Sequence, residues 1–186
     1  MGKRDDILNA TLKLIIKDGF ENLTLAKILE ESKAGSGTLY NYFSSKDDLI
    51  KELYKDLRKK ISRFVLVDYD NNVSIRIRFE MFVRKYLNYC IDNLDEMNFI
   101  EQYSYFYYDS VDIAGMNDDG FYKALLSLLK EGQEQRLVRI NRIELLIQII
   151  NGIVMSVAKG HNVGKFTLTD QEIQNVVNSC WDSIKA

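Results

Sequence analysis

Thr24-Leu25-Ala26-Lys27-Ile28-Leu29-Glu30-Glu31-Ser32-Lys33-Ala34-Gly35-Ser36-Gly37-Thr38-Leu39-Tyr40-Asn41-Tyr42-Phe43 reads as two short helices joined by a tight turn. A threonine ahead of an apolar-periodic run acts as an N-cap, because its hydroxyl oxygen accepts one of the unpaired N–H groups of the first turn. Leu25, Ile28 and Leu29 then recur three to four residues apart, and the pattern lapses at Ser32. Lys33 and Ala34 form the connection. Residues 35–43 give one or two further turns, with Leu39 and Phe43 four apart and facing inward. Gly37, Thr38, Tyr40, Asn41 and Tyr42 are left on the outer side.

Working outward, residues 3–17 carry Ile7, Leu8, Leu12, Leu14 and Ile15 at helical spacing, and Gly19 stands where a left-handed C-cap ends a helix. Downstream, Ser44 and Ser45 interrupt the periodicity and cap a long helix through Leu49, Ile50, Leu53, Leu57 and Ile61. Residues 68–72 read as a linker, and further helices are expected near 74–93, 96–110, 120–135, 142–160 and 169–183. The chain contains no proline, which favours long uninterrupted helices. The expected fold is all-α: a three-helix helix-turn-helix head over residues 1–46 and a helical bundle over 47–186.

Composition narrows the function classes. With 46% hydrophobic and 28% charged residues, the chain has the balance of a folded protein rather than a disordered one. A formal net charge of −2 excludes binding to nucleic acid by bulk charge alone. Its distribution is uneven: residues 1–65 hold 13 Lys/Arg against 10 Asp/Glu, and the remainder 12 against 17, so the head is the basic part. Cys90 and Cys180 have neither metal-ligand nor redox-motif spacing and are expected to be reduced and packed. The first residues, Met1 to Asp6, lack the apolar stretch of a secretory leader, so a cytoplasmic location is expected. The apolar run over 145–158 is short for a membrane span and contains Gln148 and Asn151, so it reads as a buried helix.

Two short helices braced by a third can lay the second in the major groove of DNA, where hydroxyls, amides and cations read phosphates and base edges. The outer residues of segment 35–43 have that chemistry. Here the sequence resembles the TetR family of bacterial regulators, through Gly37-Thr38-Leu39-Tyr40-Asn41-Tyr42-Phe43 and Ser45-Lys46-Asp47-Asp48-Leu49, with further matches at Ile7-Leu8, Ala10, Leu14, Gly19-Phe20, Thr24 and Ile28. The resemblance implies that Thr24, Tyr40, Tyr42 and Lys46 bind backbone phosphates and that Ser36, Thr38 and Asn41 lie near base edges. Gly37 would allow close approach to the DNA backbone. Lys46 also has a physical case, because a cation beside unpaired N–H groups at a helix start favours phosphate. The chain departs from the family pattern in having Lys33 in the turn and Gly35 ahead of the recognition helix. Either Lys33 takes a strained positive φ in the turn, or the following Gly35 takes over the special conformation.

The segment 142–160 is apolar almost all round, with Ile143, Leu146, Ile147, Ile150 and Val154 on one side and Leu145, Ile149, Ile153 and Val157 on another. Such a helix is buried on more than one face. The second face is expected to meet another copy of the chain, and the resemblance implies the same four-helix interface. Its expected members are Leu146, Ile150, Ile153, Val157, Ile173, Val177 and Trp181. A two-fold dimer would set two recognition helices about one DNA turn apart, or a small multiple of it, on a near-palindromic operator in double-stranded DNA.

Aromatic residues crowd 82–108. Crowding of this kind is ordinarily core; the alternative is an apolar pocket with a few phenolic hydroxyls, the composition of a small-molecule site. Its candidate lining is Tyr86, Tyr89, Phe99, Tyr103, Phe106 and Tyr107, and the matching effector would be largely apolar or aromatic. The resemblance implies repression relieved when such a ligand binds. The rival is a regulator whose body binds a protein partner or no ligand. An enzyme is the poorer reading: His161 is the only histidine, it closes an apolar helix where a capping or imidazolium role is commoner, and it has no triad or metal-site partners. Gly35-Ser36-Gly37 follows no strand, so it is not read as a nucleotide loop. No cofactor and no metal are expected.

Overall fold

The computed structural model describes residues 2–106 and 119–186. Among them are nine helices: α1 (Lys3–Asp18), α2 (Leu25–Ser32), α3 (Ser36–Tyr42), α4 (Lys46–Leu66), α5 (Ile75–Asp92), α6 (Leu94–Phe106), α7 (Gly120–Glu134), α8 (Ile143–Asn162) and α9 (Asp170–Ile184). The expected all-α class is observed, and among the described residues the one isolated strand pairing is an antiparallel bridge between Val138 and Lys185. The expected sixth helix ran to residue 110, past the described residues.

The chain forms two compact units. One gathers the described residues through Arg58 with those from Asp95 to Phe106; the other gathers Lys59–Leu94 with Asp119–Ala186. The single helix α4 contributes to both.

In the first unit, α1 ends because Gly19, at φ 81°, leaves the helical region while its N–H still bonds the Ile15 carbonyl at 2.8 Å. Ile7, Leu8, Leu14 and Ile15 of α1 are buried, as are Ile28 of α2, Leu39 of α3, and Leu49, Ile50 and Leu53 of α4. Removing each such side chain from water contributes roughly 1.5–3 kcal/mol. The helix α6 belongs to this core: Phe99 stacks on Phe20 with ring centroids 5.6 Å apart, and Tyr103 stacks on Tyr54 at 4.3 Å.

In the second unit the core is lined by Phe79, Phe82 and Val83 of α5, Leu125, Leu128 and Leu129 of α7, and Leu146, Ile150 and Val154 of α8. The apolar helix α8 has the length and composition of a membrane span, but these fully buried residues give one of its sides the role of a core helix. Two glycines permit close contacts. A Cβ on Gly132 would lie 2.5 Å from Val138, and one on Gly160 would lie 2.6 Å from the Phe166 ring. His161 accepts the Leu168 N–H at Nδ1, 3.3 Å away, and so clasps the returning α8–α9 loop. Cys90 and Cys180 are fully buried, and burial pushes both thiols up to about 12.

Candidate nucleic-acid interface

The turn between α2 and α3 decides between the two alternatives for its special conformation. Lys33 itself takes the left-handed conformation, with φ 51° and ψ 35°, while Gly35 is extended at φ −75° and ψ 153° and forms the N-cap of α3. The reason is positional: the left-handed cap falls on the residue after the last helical one, here Ser32, whatever its type. The recognition helix therefore opens at Ser36.

Seven residues form α3. Leu39 is buried within it and Phe43 directly after it, and these two anchor the helix. Ser36, Gly37 and Asn41 are exposed, Thr38 is half-buried, and Tyr40 and Tyr42 are 57% and 49% exposed. All eight candidate DNA-contact residues thus retain accessible surface, and the six on α3 are held there by the Leu39 and Phe43 anchors. A Cβ added at Gly37 would meet nothing within 4 Å, so the protein's own packing does not require glycine there.

Thr24 caps α2, its hydroxyl oxygen accepting the Lys27 N–H at 3.3 Å, which leaves the hydroxyl proton free to donate outward. Lys46, the first residue of α4, donates from Nζ to the Leu23 carbonyl at 3.3 Å. That bond sets the ammonium beside the residue preceding Thr24. The α3–α4 turn is closed reciprocally: the Ser45 hydroxyl accepts the Asp48 N–H at 3.0 Å, while the Asp48 carboxylate accepts the Ser44 N–H at 2.8 Å and its hydroxyl at 3.0 Å. The Ser44 N–H, then its hydroxyl, hold Asp48 below the usual carboxylate range. Arg4 ties α1 to α4 through Asp56 at 2.5 Å and Glu52 at 3.4 Å, its guanidinium 5.8 Å from the Phe43 ring centroid.

Of the six aromatic candidates, the four whose side chains are described divide between the two units. Tyr86 and Tyr89 lie in the second unit, against Phe121 at 4.9 Å and Phe64 at 5.4 Å. Phe99 and Tyr103 instead fill the core of the first, on Phe20 and Tyr54. The side chain of Phe106 and all of Tyr107 lie outside the described residues.

The expected interface set is also corrected. Leu146, Ile150 and Val177 are 0% exposed, consumed by the protomer's own core, and have no surface to give a second copy. On α8 the side with open surface is the one carrying Leu145, at 42% exposed, Ile149, Ile153 and Val157, with Gly152 and Ser156 between them. Ile173 and Trp181 are half-buried, and the Trp181 ring packs edge-on against Phe79 at 5.2 Å under the Arg76 guanidinium at 5.0 Å.

Sequence reasoning missed Arg78, a guanidinium only 6% exposed that pairs with Glu131 at 2.6 Å. It was findable, because Arg78 sits three residues after Ile75 and four before Phe82, in register with an apolar stripe.

Comparison with known proteins agrees with the geometry. Residues 7–53 match the family model described as bacterial regulatory proteins of the tetR family, and residues 54–186 the one described as the tetracyclin repressor-like C-terminal domain. An uncharacterized HTH-type transcriptional regulator of Haemophilus influenzae is 33% identical over 48 residues, a match spanning 26% of each chain. An HTH-type transcriptional regulator of Staphylococcus aureus is 27% identical over 140 residues, covering 67% of this chain and 74% of its own. In fold, the chain is similar to a TetR family transcription regulator from Marinobacter aquaeolei VT8, with a TM-score of 0.89 at 17% identity over 98% of this chain and 95% of that one. Both halves of the chain are accounted for by one family of DNA-binding transcription factors rather than enzymes, and the chain belongs to the TetR family.

Proposed function

We propose that the chain is a repressor that binds a near-palindromic operator as a homodimer and leaves it when a small, largely apolar or aromatic effector binds the body. The observation that carries the reading is the outward display of Ser36, Gly37, Tyr40, Asn41 and Tyr42 over the Leu39 and Phe43 anchors. Residues 1–46 form the operator-binding part and 47–186 the effector and dimerisation part. Thr24, Tyr40, Tyr42 and Lys46 hold phosphates; Ser36, Thr38 and Asn41 reach base edges; Gly37 makes room for the DNA backbone. The dimer forms on the open side of α8, through Leu145, Ile149, Ile153 and Val157, with Ile173 and Trp181 of α9 beside it. Tyr86 and Tyr89 mark the effector region. The protein acts in the cytoplasm, where its operator is.

The test is selection from a random duplex library by the purified protein, followed by affinity for the winning sequence across salt concentrations. A palindromic winner whose affinity falls steeply with salt, displaced by an apolar effector in a compound screen, is the expected result. Enrichment of no sequence at any salt would remove the operator-binding reading. A cognate ligand that tightened binding would reverse the repressor mechanism.

A further inference from the structure

Among the described residues, three buried side-chain polar atoms have no hydrogen-bond partner: Arg76 Nη1, Arg78 Nε and Asn151 Oδ1. All three lie in the second unit. Buried polar atoms are almost always answered, so an unanswered one in an apolar bundle calls for a partner from outside the chain. Asn151 is neutral and only half-buried. The Arg76 side chain is a third exposed and already holds Glu80 at 2.7 Å and Asn178 at 2.7 Å. Arg78 differs from both, because it is a cation whose side chain is only 7% exposed.

A buried guanidinium needs a counter-charge in the same low-dielectric surroundings. Arg78 donates from Nη2 to Glu131 at 2.6 Å, but the Glu131 side chain is 38% exposed, and the same oxygen accepts the Gln135 amide at 3.1 Å. Solvent screening and Gln135 thus weaken the one anion that faces the cation. The guanidinium also bonds the Tyr69 hydroxyl, which burial keeps protonated by pushing the phenol above its usual range. Nε is left as one free prong of a planar fork whose shape fits a carboxylate.

The neighbours of Arg78 are aromatic and in line. Arg78, Phe82 and Tyr86 succeed one another at four-residue steps and so share one ridge of α5. Tyr69 sets its ring edge-on to Phe82 at 6.3 Å, and Phe121 of α7 packs on Phe82 at 4.8 Å and on Tyr86 at 4.9 Å. The ridge rises about 12 Å from Arg78 to Tyr86. One end is cationic and the rest aromatic, the layout that an acid with an apolar body requires.

We infer that the effector is a carboxylic acid with an aryl or alkyl body, about 12 Å long at most, whose carboxylate bonds Arg78 Nε and whose body lies along Phe82 toward Tyr86. The inference rests on the effector reading above and names that effector's chemical class. Glu131 is then the anion with which the incoming carboxylate competes for the guanidinium.

The test uses the full-length protein, the phenylalkanoic acids from phenylpropanoate to phenylhexanoate, and their primary amides. Titration calorimetry at neutral pH is expected to find an acid that binds about tenfold or more tightly than its own amide. Glu131→Gln removes the competing anion, so acid affinity rises several-fold while amide affinity holds; a purely structural ion pair gives no such gain. Arg78→Met brings acid and amide to equal affinity, and Arg78→Lys keeps part of the difference. Should Arg78→Met strand Glu131 and fail to fold, Arg78→Met combined with Glu131→Met removes both charges and gives the same equality. Circular dichroism confirms folding for each variant. Acids and amides that bind wild type alike, or an acid preference that survives the loss of Arg78, would overturn the inference. A series in which no acid binds overturns it too; if the compound screen still finds an effector, the effector reading stands and only its acid class falls.

Discussion

Lys46 Nζ and the Leu23 carbonyl oxygen, 3.3 Å apart, join the first turn of α4 to the residue before the N-cap of α2. The bond holds the ammonium beside Leu23, the residue before the α2 N-cap, and on the proposed operator-binding reading it orients that charge before DNA arrives. Lys46→Met is expected to weaken binding to all duplexes alike and to reduce the slope of log affinity against log salt by about one. Fluorescence anisotropy at four or more salt concentrations measures it. An unchanged slope would take Lys46 off the phosphate.

Asn41 is exposed on the outer side of α3, and a carboxamide can pair with two edge atoms of one adenine. Asn41→Ala is expected to cost about 1–3 kcal/mol on the selected duplex and little on random DNA. Competition titrations with single-base variants of the winning site should show discrimination relaxed at one position per half-site. Equal losses on specific and random duplexes would assign Asn41 to the phosphates instead.

Gly37 separates the demands of folding from those of binding. The space beyond its Cα is open and its conformation is helical, so Gly37→Ala is expected to raise stability by roughly 0.5–1 kcal/mol. The same methyl would occupy the approach to the DNA backbone and weaken operator binding. Urea denaturation and anisotropy on one preparation test both signs together, and an alanine variant that binds as tightly as wild type would end the close-approach role.

The depressed Asp48 carboxyl links the α3–α4 turn to pH. Its ordinary value applies in the unfolded chain and a lower one in the folded chain, because the Ser44 N–H and hydroxyl favour the charged form. Its contribution is therefore fully present above the unfolded value and is lost as pH falls through the depressed folded value. Asp48→Asn should be less stable than wild type at neutral pH, with the gap closing in acid below that value. Denaturation midpoints at a series of pH values check the convergence; a gap independent of pH would mean that charge is irrelevant to the turn.

Ile149 and Ile150 are neighbours in sequence with opposite surroundings: Ile150 is fully buried in its own protomer and Ile149 keeps open surface. Ile149→Glu is expected to give a folded monomer by sedimentation with unchanged helicity. Ile150→Glu forces a carboxylate into the core and should cost roughly 3–5 kcal/mol of stability. A dimeric Ile149→Glu would move the interface off this side of α8.

The head was legible because its signals are local. The Thr24 cap, the Leu39–Phe43 spacing and Gly19 each act within one turn of the chain, and the helices they delimit are found within a residue or two of expectation. Residue type alone left Lys33 and Gly35 both open for the left-handed conformation; the end of α2 at Ser32 places it, and lysine occupies it although glycine would fit better. The sides of α8 were ambiguous for another reason. A helix apolar all round offers no polar face, so Leu146 and Ile150 could not be told from Leu145 and Ile149 until α5 and α9 were packed against it. Phe99 and Tyr103 find their partners about 80 and 50 residues away in Phe20 and Tyr54, pairings that no periodicity encodes.

The two buried thiols give the body a built-in clock. A cysteine held as the protonated thiol and sealed from solvent reacts with an alkylating probe only while the structure around it is open. Cys90 sits on α5 and Cys180 on α9, so their separate labelling rates time the opening of two helices of the same bundle without any added tag. A compound that slows both reactions binds the closed body, and one that slows only the first tightens α5 alone. The search for the effector can thus be run on the untouched protein, before its operator is known.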